Sequence, residues 1–218
     1  MSVIYVCCEG ITDVGVLVAF IEKCSTVKAI CKTHNELKNI KVRNLNLSRK
    51  DKYKDERINR KAYLRRIAYL ANENGASLIG YHQDAGRSYA RVYRDINNDL
   101  SEFREKGYGC IAIVPKEMIE SWILADEQAY ENMFGKTPDN PALPKKPEEM
   151  WGQKENKDSN YPKNVMTRVL QQYIVIQNRE VYAEIAENSN IEKVLVRCPK
   201  SFARFVNDMK MIESTESI

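Results

Sequence analysis

The acidic residues near the start of the chain have the types and spacing of a divalent-cation site. Glu9 and Asp13 lie four positions apart, in the turn between the apolar run Val3–Cys8 and an amphipathic segment that begins at Thr12. Carboxylates supply the hard oxygen ligands that such cations prefer, and a shared turn holds the two side chains close together. The pair therefore predicts a metal site at the exit of a buried strand.

Two further carboxylates follow runs of strand-like sequence. Asp84 comes shortly after residues 77–81, and Glu120 lies one helical turn beyond residues 110–114. Ligands of open parallel sheets bind outside the carboxyl ends of the strands, so we expect these acids to share one edge with Glu9. Carboxylates gathered there would repel one another unless a cation neutralised them. We therefore predict Mg²⁺ or Mn²⁺ as cofactor, with four ligands: Glu9, Asp13, Asp84 and Glu120.

Each of these acids also has a purely structural interpretation. Asp13 in the first turn of a helix interacts favourably with the helix dipole whatever else it binds. Asp84 precedes a glycine-containing turn and could bond its own backbone there. Glu120 could face solvent, and Glu9 precedes a glycine, which is also typical of close backbone packing. The case for a metal-dependent enzyme depends on the four occurring together.

The elements that would position these carboxylates alternate between strand and helix patterns. The sequence predicts strands at residues 3–8, 40–45, 77–81 and 110–114. It predicts intervening helices at residues 12–24, with Thr12 as N-cap, and at 56–72, 87–106 and 117–130. Such alternation is typical of parallel βαβ units with right-handed crossovers. We therefore predict an α/β fold with a central parallel sheet of about four strands flanked by helices.

The character of the chain changes after Phe134. Residues 137–161 are rich in proline and charge, which predicts a long irregular segment. Two helices are predicted beyond it, at residues 163–177 and 201–212. The predicted organisation is an α/β domain at residues 1–134 and an irregular, α-helical C-terminal appendage at residues 135–218 that packs on the same domain.

Bulk composition describes an ordinary globular chain. Its 218 residues fit one medium domain, and its 43% hydrophobic and 29% charged content is typical of that class. No run approaches the ~20 apolar residues of a membrane span, and no signal-peptide pattern opens the chain, so we expect a cytoplasmic protein without a membrane partner. The six cysteines are scattered without a C-x-x-C pair, which favours buried free thiols over a zinc site or disulfides.

Positive charge is concentrated in one stretch of the sequence. Residues 41–66 hold eleven Lys and Arg against three Asp and Glu, although the net charge of the whole chain is only +4. Such a patch attracts polyanions, nucleic acid above all, but a solvated linker and helix face is an equally good interpretation. Arg87, close after Asp84, could add a phosphate contact. The candidate nucleic-acid contacts are Arg49, Lys50, Lys52, Lys54 and Arg87.

The first acidic pair lies in a segment that resembles a known motif. Residues 6–13, Val-Cys-Cys-Glu-Gly-Ile-Thr-Asp, resemble the first motif of the Toprim fold, which is shared by topoisomerases, bacterial primases, recombination factors and the overcoming-lysogenization-defect (OLD) nucleases. The E-x-x-x-D spacing is similar to the OLD-type branch. Asp84 matches the second acid of the Toprim D-x-D motif.

Later segments extend the resemblance over most of the chain. Residues 118–126 resemble the E-x-W-x-L-A-D signature of a bacterial Toprim-like family of unknown function, often found in mobile and defence-associated gene neighbourhoods. Residues 161–163 resemble its P-K motif, and residues 201–205 its S-F-x-R-F element. The resemblance implies a Toprim/Rossmann-like fold and metal-dependent phosphodiester chemistry. It also implies a phosphate-stabilising or proton-transferring role for Lys163 and adds Asp126 as a candidate site residue.

The chain departs from the Toprim pattern at His82, which stands where D-x-D has its first acid. Imidazole ligates zinc, manganese or iron but is a poor ligand for magnesium. Three interpretations remain open: a single ion, a preference for manganese, or loss of activity. A hydrogen-bonded histidine at a strand end is a fourth.

Two functions of different class follow from these observations. The first is a divalent-metal-dependent nuclease acting on DNA or RNA, with Glu9 and Lys163 in the reaction, in anti-phage defence or mobile-element biology. The second is a non-catalytic Toprim-like module that binds nucleic acid or a separately encoded ATPase, since the chain itself lacks G-x-x-x-x-G-K-[ST]. A primase- or topoisomerase-like enzyme ranks last, because no zinc-binding cysteine set is present.

Overall fold

A parallel sheet forms the centre of the molecule. The computed structural model describes residues 2–42 and 56–216, and the strands in these ranges form one four-stranded sheet in the order β2-β1-β3-β4. The strands are β1 (Val3–Cys8), β2 (Lys28–Thr33), β3 (Leu78–His82) and β4 (Gly109–Ile113). Neighbouring strands pair in parallel throughout. The predicted α/β fold with a parallel sheet of about four strands is confirmed.

Helices cover both faces of this sheet. The α-helices are α1 (Ile11–Cys24), α2 (His34–Lys38), α3 (Glu56–Glu73), α4 (Tyr89–Arg104), α5 (Glu120–Ile123), α6 (Glu127–Phe134), α7 (Pro162–Gln171), α8 (Arg179–Asn188), α9 (Ile191–Arg197) and α10 (Ser201–Glu216). A short 3₁₀ helix spans Pro147–Glu149. Side chains of α2, α3 and α4 form the core on one face, whereas those of α1 and α5–α10 form the core on the other.

The two cores explain why β1 is apolar along its length. Ile4, Val6 and Cys8 point into the core with α1, whereas Tyr5 and Cys7 point into the core with α3 and α4. A strand buried on both faces needs apolar side chains at every position rather than at alternate ones. Cys7 and Cys8, which are adjacent, point to opposite faces because side chains along a strand alternate with a period of two.

Aromatic side chains join the C-terminal helices to the sheet core. The Phe202 ring lies 5.0 Å from the ring centroids of both Phe20 and Trp122. Trp122 Nε1 also donates a hydrogen bond of 2.8 Å to Ser201 Oγ. Residues on both sides of Phe134 therefore share one core.

The predicted position of the second strand was wrong. It was placed at residues 40–45, but β2 is Lys28–Thr33, and Ile40, Lys41 and Val42 lie in no strand. The strand is on the edge of the sheet, where lysines that interrupt the apolar pattern discourage pairing with other chains. Its sequence therefore lacks the continuous apolar run that marked β1. The rest of the predicted strand lies outside the described residues.

Several predicted helix boundaries were also wrong. The helix expected at 117–130 is two helices, α5 and α6, because Asp126 caps α6 by accepting a hydrogen bond from the Gln128 N–H at 2.9 Å. The helix expected at 163–177 ends at Gln171. Two helices that the sequence analysis did not predict, α8 and α9, follow it. Asn caps begin both, and α8 carries buried side chains at three- and four-residue spacing.

The cysteines and the helices agree with the bulk composition. All six cysteines are free, and five of them are buried. Among the described residues, no helix is long and apolar enough to cross a membrane.

Candidate functional site

Glu9 and Asp84 meet at the carboxyl edge of the sheet. Glu9 directly follows β1, and Asp84 lies two residues beyond the end of β3, which is the neighbour of β1. The Asp84 backbone N–H lies 3.4 Å from Glu9 Oε2 and donates to it. Glu9 is an exposed residue. Partial desolvation of its carboxyl raises its pKa, and the charges of Asp84 and Asp13 also raise it, whereas His82 lowers it. These two acids therefore lie together, as predicted.

Asp13 is placed at the same edge but is engaged by the start of α1. Its Oδ2 accepts a hydrogen bond of 2.9 Å from the Gly10 N–H, and its Oδ1 accepts one of 3.3 Å from Thr12 Oγ1. Gly10, rather than the predicted Thr12, is the N-cap of α1. The carboxylate of Asp13 is buried and fastens the turn that carries Glu9. Asp13 therefore has a structural role at the start of α1, whether or not it also binds a ligand.

His82 lies between Asp13 and Asp84. Its Nδ1 is 3.7 Å from Asp13 Oδ2 and its Nε2 is 3.5 Å from Asp84 Oδ1. The ring is fully buried, and neither nitrogen has a hydrogen-bond partner among the described residues. Burial alone lowers the pKa of His82, but Asp84, Asp13 and Glu9 outweigh it and raise the net pKa. A protonated imidazole in this position carries one positive charge and offsets part of the negative charge of the two carboxylates.

Glu120 reaches this edge from the loop after β4. Asp84 Oδ1 accepts a hydrogen bond of 2.9 Å from the Ile119 N–H, which draws the start of α5 toward β3. The Glu120 side chain is buried, and its Oε2 has no hydrogen-bond partner among the described residues. Burial, with Asp84 acting in the same direction, raises the pKa of Glu120 to about 7. An unpartnered oxygen in such a position is available to a cation or a proton.

Lys163 supplies a positive charge beside Glu120. It is the second residue of α7, after Pro162, and its Nζ lies 3.8 Å from Glu120 Oε1. Burial lowers the pKa of Lys163, but the charges of Glu120 and Asp84 outweigh it and raise the net pKa. The ammonium group therefore stays protonated at neutral pH.

The carboxyl edge of the sheet offers oxygen donors that suit a divalent ion. Within the described ranges, no group of three or more His, Cys, Asp or Glu side chains has the spacing to hold a metal. Magnesium needs fewer, because it usually binds one or two carboxylates and completes its shell with water and substrate phosphate. Glu9, Asp84 and the free oxygen of Glu120 are suitable oxygen donors. Asp13 accepts hydrogen bonds at the start of α1, and His82 lies between Asp13 and Asp84, so neither is counted among these donors.

The structure does not bring Asp126 into this site. Its Oδ1 caps α6, and its Oδ2 accepts a hydrogen bond of 2.8 Å from the Asn190 N–H at the start of α9. Lys193 Nζ lies 3.1 Å from Oδ1. The carboxylate is fully buried and fastens α6 to α9. The predicted contacts Arg49, Lys50, Lys52 and Lys54 lie outside the described residues.

Arg87 contacts an aromatic residue that the sequence analysis did not identify. Its guanidinium carbon lies 3.7 Å from the centroid of the Trp151 ring. Trp151 is 54% exposed, whereas Trp122, the other tryptophan, is fully buried. Trp151 lies in the irregular segment between α6 and α7, where no periodic pattern marks a side chain as buried or exposed. The signal that the sequence offered for Trp151 was the presence of one large aromatic residue in a segment rich in charged residues.

Comparisons with known proteins give no match for this chain. No protein-family model matches it, and neither the curated proteins nor the solved structures with which it was compared show significant similarity.

Proposed function

We propose that this protein hydrolyses phosphodiester bonds of DNA or RNA in a reaction that depends on Mg²⁺ or Mn²⁺. The observation that carries the proposal is the convergence of Glu9, Asp84 and Glu120 with Lys163 at one edge of the sheet. The Toprim resemblance adds anti-phage defence or mobile-element biology as the setting of this activity.

One or two of the carboxylates Glu9, Asp84 and Glu120 would hold the ion, with water and substrate phosphate completing its shell. A divalent cation supplies Lewis-acid charge to a phosphoryl oxygen and lowers the pKa of a bound water. Asp84 is oriented for this role by the Ile119 N–H, and Glu9 by the N–H of Asp84. Glu120 keeps one oxygen, Oε2, without a hydrogen-bond partner among the described residues, and this oxygen would face the cation unencumbered.

Lys163 is the residue that would contact the scissile phosphate. Its raised pKa keeps it cationic at neutral pH, so it stabilises negative charge and can donate a proton, but it does not act as a base. Its side chain is 45% exposed, which leaves it accessible to a phosphate group. Arg87 and the residues of the basic stretch would then contact the nucleic-acid backbone, without reading bases.

A second candidate function is nucleic-acid binding without cleavage, as a module that partners a separately encoded ATPase. The position of His82 favours it, because an imidazolium between Asp13 and Asp84 removes part of the repulsion that otherwise makes a cation necessary. The same edge would then bind backbone phosphates through Lys163 and Arg87.

A cleavage assay with a metal series separates the two functions. Plasmid, single-stranded DNA and RNA are incubated with the purified protein in Mg²⁺, Mn²⁺ or chelator. We expect cleavage in at least one metal and at least a hundredfold loss of rate in Glu9→Gln and Asp84→Asn, since each removes a ligand charge. Glu73→Gln, an exposed change at the end of α3, is the matched control and should cleave normally.

Binding is measured on the same substrates in chelator. Cleavage that survives both substitutions, or that needs no metal, contradicts the proposal. Binding without cleavage under every condition supports the second candidate instead.

A further inference from the structure

Trp151 and Arg87 form an exposed pair of an aromatic and a cationic side chain. The pair lies near the edge of the sheet that carries Glu9, Asp84 and Glu120, which we call the acidic edge, because Arg87 follows Asp84 by three residues. The guanidinium lies over one face of the indole at 3.7 Å from its centroid, yet the tryptophan remains 54% exposed. Arg87 is exposed and has no carboxylate within ion-pair distance among the described residues. Its charge lowers the pKa of Glu117, whereas burial of Glu117 raises it. The pair therefore presents positive charge and aromatic surface together to solvent.

Backbone packing fixes Trp151 beside the start of α7. A Cβ added to the next residue, Gly152, would lie 2.4 Å from the backbone nitrogen of Tyr161, so the two segments are in direct contact there. Tyr161 immediately precedes α7, which carries Lys163 as its second residue. The phenol of Tyr161 is also within electrostatic range of Glu120. Burial and the charge of Glu120 raise the pKa of Tyr161, whereas the charge of Lys163 lowers it.

A side chain of α7 holds the loop that follows Trp151. Asn164 Nδ2 donates to the carbonyl oxygens of Lys154 and Asn156 at 3.1 and 2.7 Å. Arg168 donates from the next turn of the helix to the Ser159 carbonyl at 3.0 Å. The chain that follows Trp151 is thus held against the start of α7, which limits the movement of the tryptophan relative to Lys163 and favours a ligand that reaches both.

We propose that Trp151, with Arg87 behind it, is a stacking platform for an unpaired base, and that the acidic edge acts on single-stranded nucleic acid. This inference rests on the proposed function, because it assigns the substrate class of the same site. Aromatic rings stack on bases of any sequence, but only where the base face is not already covered by its neighbours in a duplex. Arginine beside the ring adds attraction for the strand through its charge.

The test compares strands that carry bases with strands that do not. The ligands are an oligothymidylate, an oligouridylate, an abasic oligodeoxynucleotide of equal length and a blunt duplex, all in chelator so that cleavage does not interfere. We expect both base-bearing single strands to quench the fluorescence of Trp151, while Trp122, fully buried, contributes a constant background. The abasic strand and the duplex should bind at least fivefold more weakly.

Substitutions assign the preference to the platform. Trp151→Ala should weaken binding of base-bearing strands roughly 5- to 150-fold and leave the abasic strand unchanged, the range expected for loss of one stacked base. Trp151→Phe should keep part of the preference. Val196→Ala, an exposed apolar change on α9, is the matched control, and circular dichroism checks that each variant is folded.

The outcomes separate this inference from the proposed function. Equal affinity for base-bearing and abasic strands, or unchanged binding by Trp151→Ala, overturns the stacking platform even if the protein cleaves nucleic acid. A preference for base-bearing strands that depends on Trp151 supports the platform even if no metal produces cleavage. An oligodeoxyuridylate compared with the uridylate strand distinguishes DNA from RNA, because these two differ only in the 2′-hydroxyl.

Discussion

The acidic residues at the edge of the sheet differ in what surrounds each carboxylate. Asp13 is buried and accepts hydrogen bonds from the start of α1, whereas Glu9 is exposed. His82 offsets the charges of Asp13 and Asp84 from between them. Glu120 is left buried with an unpartnered oxygen and a raised pKa. Perturbed acids of this kind cluster at functional sites, and Glu120, whose pKa is raised to about 7, is such an acid.

Glu120→Gln should change how stability depends on pH. The folded-state pKa of about 7 lies above the ordinary 4.5, so between those values the native protein binds the extra proton. The free energy of unfolding of the wild type therefore falls as pH rises through this window. Relative to the wild type, Glu120→Gln should gain on the order of 3 kcal/mol from pH 4.5 to 7.

Urea unfolding in chelator across this pH range measures the difference. Glu73→Gln, at an exposed position, should follow the wild type at every pH. A constant difference between wild type and Glu120→Gln would show that the carboxyl of Glu120 titrates normally.

At the scale of elements, the position of Glu9 and Asp13 depends on how α1 packs against α8. A Cβ added to Gly15 would lie 2.5 Å from the Cβ of Ala183, so the two helices cross in contact at this point. The residue before Ala183, Tyr182, is buried, and the charges of Glu120 and Asp13 contribute to its raised pKa after burial. The helix α8 therefore packs against α1, the helix that carries Asp13, although the sequence analysis did not predict α8.

Gly15→Ala should destabilise the protein, although alanine is the better helix former by about 1 kcal/mol. The added methyl overlaps Ala183, and forcing an extra carbon into a packed contact typically costs about 1–3 kcal/mol. The reciprocal change Ala183→Gly removes the overlap, so the double substitution should recover most of the lost stability. A double-mutant cycle in thermal unfolding provides the measurement.

The control for this cycle is a second pair of substitutions at residues that are not in contact, whose effects on the free energy of unfolding should add. Val196→Ala on α9 combined with Gly15→Ala should give the sum of the single effects. Additive behaviour of Gly15→Ala and Ala183→Gly as well would mean that the two helices separate freely at this crossing.

At the scale of the whole molecule, charge and core are distributed differently along the chain. Aromatic contacts of Phe202 with Phe20 and Trp122 unite residues on either side of Phe134 in one core. Positive charge instead accumulates in residues 41–66, which hold +8 against +4 for the entire chain. This stretch is therefore the part of the sequence best suited to attract a polyanion.

Removing charge from the basic stretch should make nucleic-acid binding less sensitive to salt. Replacing four residues by alanine should lower the slope of log affinity against log salt by up to about 3 for a single strand, since each phosphate contact contributes about 0.7. The four are Arg49, Lys50, Lys52 and Lys54. Fluorescence anisotropy of a labelled oligonucleotide over a salt series measures the slope.

The matched control removes equal charge from the C-terminal half of the chain. Four exposed lysines chosen there are Lys136, Lys145, Lys146 and Lys200. This variant should keep the wild-type slope. Equal slopes in the two variants would mean that the basic stretch acts only through net charge.

The features predictable from sequence were those set by local periodicity. The run Val3–Cys8 predicted a strand buried on both faces, and the alternation of elements predicted a parallel sheet, because burial and chain geometry impose these patterns on neighbouring residues. The location of Glu9 and Asp84 at one edge followed from parallel pairing of β1 and β3. The edge strand β2 was misplaced because its lysines break the pattern.

The role of each side chain at that edge depends on how the distant segments pack together. Asp126 and Glu120 belong to one short segment, yet the first fastens α6 to α9 and the second faces Lys163. His82 lies between two carboxylates supplied by α1 and by the turn after β3. Such roles depend on distances between residues far apart in the chain, and these distances arise only when the helices pack on the sheet.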